Sequence, residues 1–86
     1  MRRSGILADA NKINGLSKIP LVELAGDKRV LIENHQGVLS YSLEEIQIKV
    51  AYGKLLVFGE KLMIMQMSRE QIVIAGQICS LQLSGR

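Results

Sequence analysis

A chain of 86 residues with one cysteine, Cys79, and 48% apolar residues reads as one small domain with an aliphatic core, and the single cysteine excludes an internal disulfide. No apolar run approaches the ~18 residues of a membrane-crossing helix, and behind Arg2-Arg3 stand only Ile6-Leu7-Ala8, too short for a secretory leader, so a cytoplasmic protein that is not itself transmembrane is expected. The net charge of +3 comes from residues 1–20, where Arg2, Arg3, Lys12 and Lys18 face Asp9 alone, while the rest of the chain balances seven bases against seven acids.

Residues 1–18 mix Gly5, Asn11, Asn14, Gly15 and Ser17 with Ile6, Ala10 and Ile13 at helical spacing. An isolated helix shorter than ~12–15 residues is marginal in water, so a flexible or weakly helical N-terminal arm is expected. Pro20 fixes its own φ and holds Ile19 extended. The folded domain, residues 19–86, is expected to start there.

From that point the chain reads as short strands parted by turn residues. Leu21–Leu24 runs into Ala25-Gly26-Asp27-Lys28, and Arg29–His35 alternates with Val30 and Ile32 on one side and Arg29 and Glu33 on the other. Gln36-Gly37 leads to Val38–Tyr41 and Ser42-Leu43-Glu44 to Glu45–Tyr52, where Ile46, Ile48, Val50 and Tyr52 share one face. Leu55–Phe58 and Leu62–Met67 follow as two arms about Gly59, which reads as a turn or bulge. Ser68-Arg69-Glu70 turns into Gln71–Ala75, and Gly76-Gln77 into Ile78–Leu83. The expectation is an all-β fold, a small antiparallel β-sandwich or roll of about seven or eight short strands. Parallel pairs need a crossover of a dozen or more residues, and no connection here is that long.

A faint repeat runs through this pattern. Ser42-Leu43-Glu44-Glu45-Ile46-Gln47-Ile48 parallels Ser68-Arg69-Glu70-Gln71-Ile72-Val73-Ile74, in each case polar turn residues ahead of an Ile-x-Ile strand.

The stretch Lys54–Met67 carries more apolar surface than one buried face requires. Side chains alternate between the two faces of a strand, yet Leu55-Leu56-Val57-Phe58 and Leu62-Met63-Ile64-Met65 are apolar on both. Met63, Met65 and Met67 recur at every second residue, opposite Leu62 and Ile64, and read as a flexible apolar stripe outside the core. With Leu56 and Phe58 they form the candidate contact surface, for self-association or a partner.

Catalysis has little to build on. His35 ends a strand, Cys79 alternates within the last one and reads as a small buried hydrophobe, and nothing in the sequence supplies an orienting third group. Ligand spacing for a metal is missing, and Gly53, Gly59 and Gly76 are too dispersed to cradle a phosphate. No enzyme activity and no cofactor is expected. Three aromatics and a neutral β region also argue against nucleic acid as partner; the alternative reading is a small nucleic-acid-binding β-barrel that uses the basic N-terminal arm.

Residues 29–83 resemble the YabP/YqfC family of sporulation proteins, the YqfC branch more closely. The residues that carry the resemblance are Ile19-Pro20, Val22-Glu23-Leu24 and Gly26, then Ile32-Glu33-Asn34-His35-x-Gly37 and Tyr41, and then Gly53-x-Leu55, Gly59-x-x-Leu62, Ser68-x-Glu70-x-Ile72-x-Ile74-x-Gly76 and Ile78. The resemblance implies a small all-β protein of the mother cell of an endospore former, with a role in building the spore and no catalytic residues. It also implies a membrane-bound sporulation protein as partner, at the membrane that surrounds the forespore. For Ile32, Glu33, Asn34, His35, Gly37, Gly59 and Gly76 the residues themselves suggest structural work, since Asn and His at a strand end satisfy turn backbone. A non-catalytic, homo-oligomeric scaffold for spore formation is the resulting expectation.

Overall fold

Two strands of 15 residues each set the architecture. A computed structural model of the chain describes residues 19–85, and in it β1 (Leu21–Ala25), β2 (Arg29–Glu33), β3 (Val38–Tyr41), β4 (Glu45–Val50), β5 (Gly53–Met67) and β6 (Gln71–Gly85) form one antiparallel sheet in the order β1-β2-β6-β5-β4-β3. The N-terminal arm expected over residues 1–18 lies outside the described residues.

The sheet works as two halves that share β5 and β6. Residues 53–58 of β5 pair with β4 on one side and with residues 80–85 of β6 on the other. Beyond a crease, residues 63–67 pair with residues 72–75 of β6, which pair in turn with β2. Each half is therefore four strands wide. Val30, Ile32, Leu62, Ile72 and Ile74 from one half and Ile46, Ile48, Val50, Leu55, Val57 and Ile78 from the crease and the other half form a single buried cluster. With no helix among the described residues, the two halves cover each other, as in a roll.

The crease is made by bulges. Between Phe58 and Gly59, between Glu60 and Met63, and between Ile64 and Gln66 the register with β6 shifts, and an extra residue in one strand bends it and turns its side-chain phase. Gly59 has no room for a side chain: a Cβ there would run into the carbonyl oxygen of Gln77. Each crease is pinned to a turn. Gly59 N–H and Leu62 N–H donate to the carbonyls of Glu44 (3.0 Å) and Leu43 (2.8 Å), and Gly76 N–H and Ile78 N–H to those of Lys28 (3.1 Å) and Asp27 (2.7 Å).

The all-β antiparallel reading stands, and the bulges account for the difference in strand number. The expected pairs 55–58 with 62–67, and 71–75 with 78–83, are each one continuous strand, so there are six strands and Gly59 sits within a strand, opposite a bulge of β6, and not in a hairpin turn. β4 ends at Val50, and Tyr52, expected on its inner face, sits exposed in the turn that joins it to β5.

The repeat noticed in the sequence is a repeated turn. Ser42 N–H donates to the Glu45 carbonyl (2.9 Å) and its Oγ accepts from Glu45 N–H (3.0 Å). Ser68 makes the same pair of bonds with Gln71, at 2.7 and 3.2 Å. The Ile-x-Ile strands that follow, Ile46/Ile48 and Ile72/Ile74, enter the core from the two halves.

Candidate functional site

Two features hold the residues that the sequence singles out. The first is the link between β2 and β3. Asn34 stands at φ 64°, a left-handed conformation that asparagine adopts more readily than most residues. Its N–H donates to the Glu70 carbonyl (2.8 Å), and its side-chain Nδ2 to the carbonyl of Ile19 (2.9 Å). His35 bridges further: Gly37 N–H donates to Nδ1 (3.0 Å), and Nε2 lies 2.8 Å from the Ser68 carbonyl oxygen. With Nδ1 accepting from Gly37, the tautomer that carries its hydrogen on Nε2 lets that nitrogen donate to the Ser68 carbonyl. Gln36 N–H to Lys49 O (2.7 Å) and Lys49 N–H to Gly37 O (2.8 Å) complete the link. Residues 34–37 thus tie the entry to β1, the 68–70 turn and β4 together.

Beside this link is an open cleft of about 440 Å³ lined by Glu33, Asn34, Ser68, Glu70 and Gln71. Gln71 Nε2 donates to Glu33 Oε2 across 3.4 Å. Among the described residues no three His, Cys, Asp or Glu side chains converge as metal ligands would. Cys79 departs from its expected burial: it is exposed, at the bulge between Phe58 and Gly59 where β6 carries one residue more than β5. It also stands apart from His35. His35 bonds at the Ser68 end of β2, whereas Ile78 beside Cys79 bonds at the Asp27 turn, with the ~13 Å length of β2 between.

The second feature is the outer surface of β5. The bulges explain much of its two-sided apolarity, because the inward set changes parity from Leu55 and Val57 to Leu62 and Ile64 at the crease. Leu56 and Phe58 lie on the outer face, half-buried, between the polar cross-strand neighbours Gln47 and Gln82, and Glu45 and Ser80. The methionines remain in the open: Met63 is 53% exposed, Met65 57% and Met67 54%. They do not form the single-faced stripe that straight alternation predicts. Met63 pairs with Ala75 and so shares the outer face, Met65 is the extra residue of a bulge, and Met67 pairs with Ile72, whose side chain is in the core. Opposite residues of an antiparallel pair point to the same face, so Met67 projects from the core side at the rim. Residues 63–67 pair with β6 on one side and, among the described residues, with no strand on the other. The three side chains therefore line a free sheet edge, a geometry that no reading of alternation alone contains.

The basic residues Arg2, Arg3, Lys12 and Lys18 of the nucleic-acid alternative lie outside the described residues. No helix among those described is long and apolar enough to cross a membrane.

Comparison with known proteins adds two findings. A family model described as "YabP family" matches residues 18–86. A protein of Bacillus subtilis (strain 168), named "Uncharacterized protein YqfC", is 28% identical over 60 residues, which cover 70% of this chain and 64% of that protein, slightly less than two thirds of its length. No solved structure matches.

Proposed function

The chain belongs to the YabP family, and from that premise we propose that it is a non-catalytic interaction module of spore formation, which self-associates and docks on a membrane-bound partner. The observation that carries the reading is the free edge of β5, where three methionines are each more than half exposed on a strand with an unpaired side. Methionine is unbranched and polarizable and adapts to irregular apolar surfaces, and large apolar side chains left in solvent along an unpaired strand suit a contact site. Leu56 and Phe58 lie further along the same strand, half-buried on the outer face where β5 is paired on both sides. The residues of the Ile32–Gly37 motif have a structural part in this reading, since residues 34–37 bond to the entry of β1, to the 68–70 turn that follows the methionine edge, and to Lys49 of β4. The mother-cell setting and the membrane-bound partner rest on the family resemblance of the motif residues.

The test is genetic. Deletion of the gene in a spore-forming host is expected to cut the yield of heat-resistant spores while leaving vegetative growth unchanged. Deletion strains that sporulate as well as the parent contradict the reading.

A further inference from the structure

Residues 80–84 read Ser-Leu-Gln-Leu-Ser, the same in both directions. In the folded chain they form the C-terminal part of β6, in unbroken register with β5 from Phe58↔Ser80 to Gly53↔Gly85. Pairing with β2 stops at Ala75, so among the described residues the other side of 80–85 carries no strand. Natural sheet edges are usually guarded by charge, proline, a bulge or short length. β1 follows Pro20 and contains Glu23, β3 has four residues and a bulge, and residues 63–67 contain one. Residues 80–85 have none of these, and the whole of β6 is uncharged.

The side chains along this edge are sorted by face. Leu81 and Leu83 stand opposite Val57 and Leu55, both core residues, whereas Ser80, Gln82 and Ser84 take the outer face. Leu83 is nevertheless 68% exposed, more than any other large apolar residue described. It borders an apolar hollow of about 290 Å³ with Val22, Leu55, Leu81 and Gln82.

We propose that this edge is a two-fold contact between two copies of the chain, antiparallel and centred on Gln82. The proposal deepens the self-association part of the function above and rests on it; it assigns the dimer to β6 and leaves the methionine edge of β5 to another partner. A two-fold interface brings a surface against itself, so it must be self-complementary. The palindrome supplies that. About Gln82, Ser80 meets Ser84 of the second copy, Leu81 meets Leu83, and Gln82 meets Gln82. Each leucine then lies against leucine on the core side, over the hollow, and polar side chains meet on the outer side. A charge near the axis would face its own copy at close range, and β6 has none. A one-residue slip would set leucine against serine or glutamine and turn the apolar set of one copy outward, and a two-residue slip would keep the faces but leave one leucine–leucine pair where the register centred on Gln82 makes two. The two four-stranded halves become one continuous sheet of eight strands.

The test uses the full-length chain with Cys79→Ser as background. Directly opposed residues of an antiparallel pair have Cα atoms ~4.5–5.5 Å apart, within reach of a disulfide, whereas Ser80 and its own counterpart would be ~13 Å apart. Under mild oxidation the Gln82→Cys chain is expected to become covalent dimer and the Ser80→Cys chain to remain uncross-linked. In sedimentation the unmodified chain is expected to be a dimer and Leu83→Lys, at a site already in solvent, a folded monomer. A monomeric full-length chain, a Gln82→Cys chain that fails to cross-link, equal cross-linking at Ser80→Cys, or a dimer that survives Leu83→Lys overturns the two-fold contact. A dimer that survives Leu83→Lys and is lost in Met65→Lys leaves self-association standing, with its contact elsewhere.

Discussion

The imidazole Nε2 of His35 lies 2.8 Å from the backbone carbonyl oxygen of Ser68, a residue 33 positions further along the chain. That bond, with the one that Nδ1 accepts from Gly37 N–H, makes the only histidine a brace between the β2–β3 link and the β5–β6 turn. Removing both partners leaves two backbone groups to find water. His35→Ala is expected to lower unfolding free energy by about 1–2 kcal/mol, measured by urea denaturation. His35→Asn, whose side-chain oxygen can still accept from Gly37 N–H, is expected to lose less. Equal losses in the two variants contradict the bridging role.

Gly59 makes the closest approach at the crease. A Cβ on it would meet the Gln77 carbonyl oxygen and sit 2.8 Å from Leu62 Cδ2, so the two long strands would have to part. Gly59→Ala is expected to cost about 3 kcal/mol or more. Gly26→Ala is the control: at φ +59° with nothing near its Cβ position, it carries only the left-handed backbone penalty of about 1–2 kcal/mol. Thermal unfolding of the pair checks the order, and a Gly59→Ala chain as stable as Gly26→Ala would contradict the account of the bend.

Acid reports on the β1–β2 turn. Gln77 Nε2 donates to Asp27 Oδ2 at 2.7 Å and Gln77 Oε1 accepts from Lys28 Nζ at 2.8 Å. The Gln77 hydrogen bond, then the Lys28 charge, hold the Asp27 carboxyl below its ordinary range. A carboxylate depressed on folding stabilises the native state above its unfolded pKa, and that contribution disappears as pH falls through the folded one. The native chain is therefore expected to exceed Asp27→Asn in stability at neutral pH and to lose the advantage in acid. A difference that does not change with pH contradicts the assignment.

The sequence carried the inward-facing residues wherever a strand pairs without interruption. Ile46, Ile48 and Val50 in β4 alternate with polar neighbours, Val30 and Ile32 in β2 are flanked by Arg29 and Glu33 with Leu31 between them, and all five are buried. The paired Ser-x-Glu turns also announced themselves, because a serine that accepts from the N–H three residues on needs only local sequence. What alternation could not carry is the change of phase in β5. Lys61 takes a positive φ of 53°, and the extra residues of β5 exist only relative to the register of β6. A strand that changes the face it buries part way along looks, from sequence, apolar on both sides. The family resemblance covered the same residues from Ile19 onward, and its glycines mark the crease. Met67 on the core side of the rim and Cys79 in solvent both follow from bulges, and neither has a signal in the sequence alone.

Under the proposed function, the exposed methionine edge of β5, and no catalytic group, carries the contribution to spore formation. Met63 and Met65 already lie more than half in solvent, so Met63→Lys with Met65→Lys adds charge without emptying the core, and the melting temperature is expected to stay within a few degrees of the unsubstituted chain. Complementation of the deletion strain with this double variant, at matched protein level, is the most direct measurement. Heat-resistant spore counts that stay at the level of the deletion are the predicted result; full restoration by the folded double variant is the result that contradicts it.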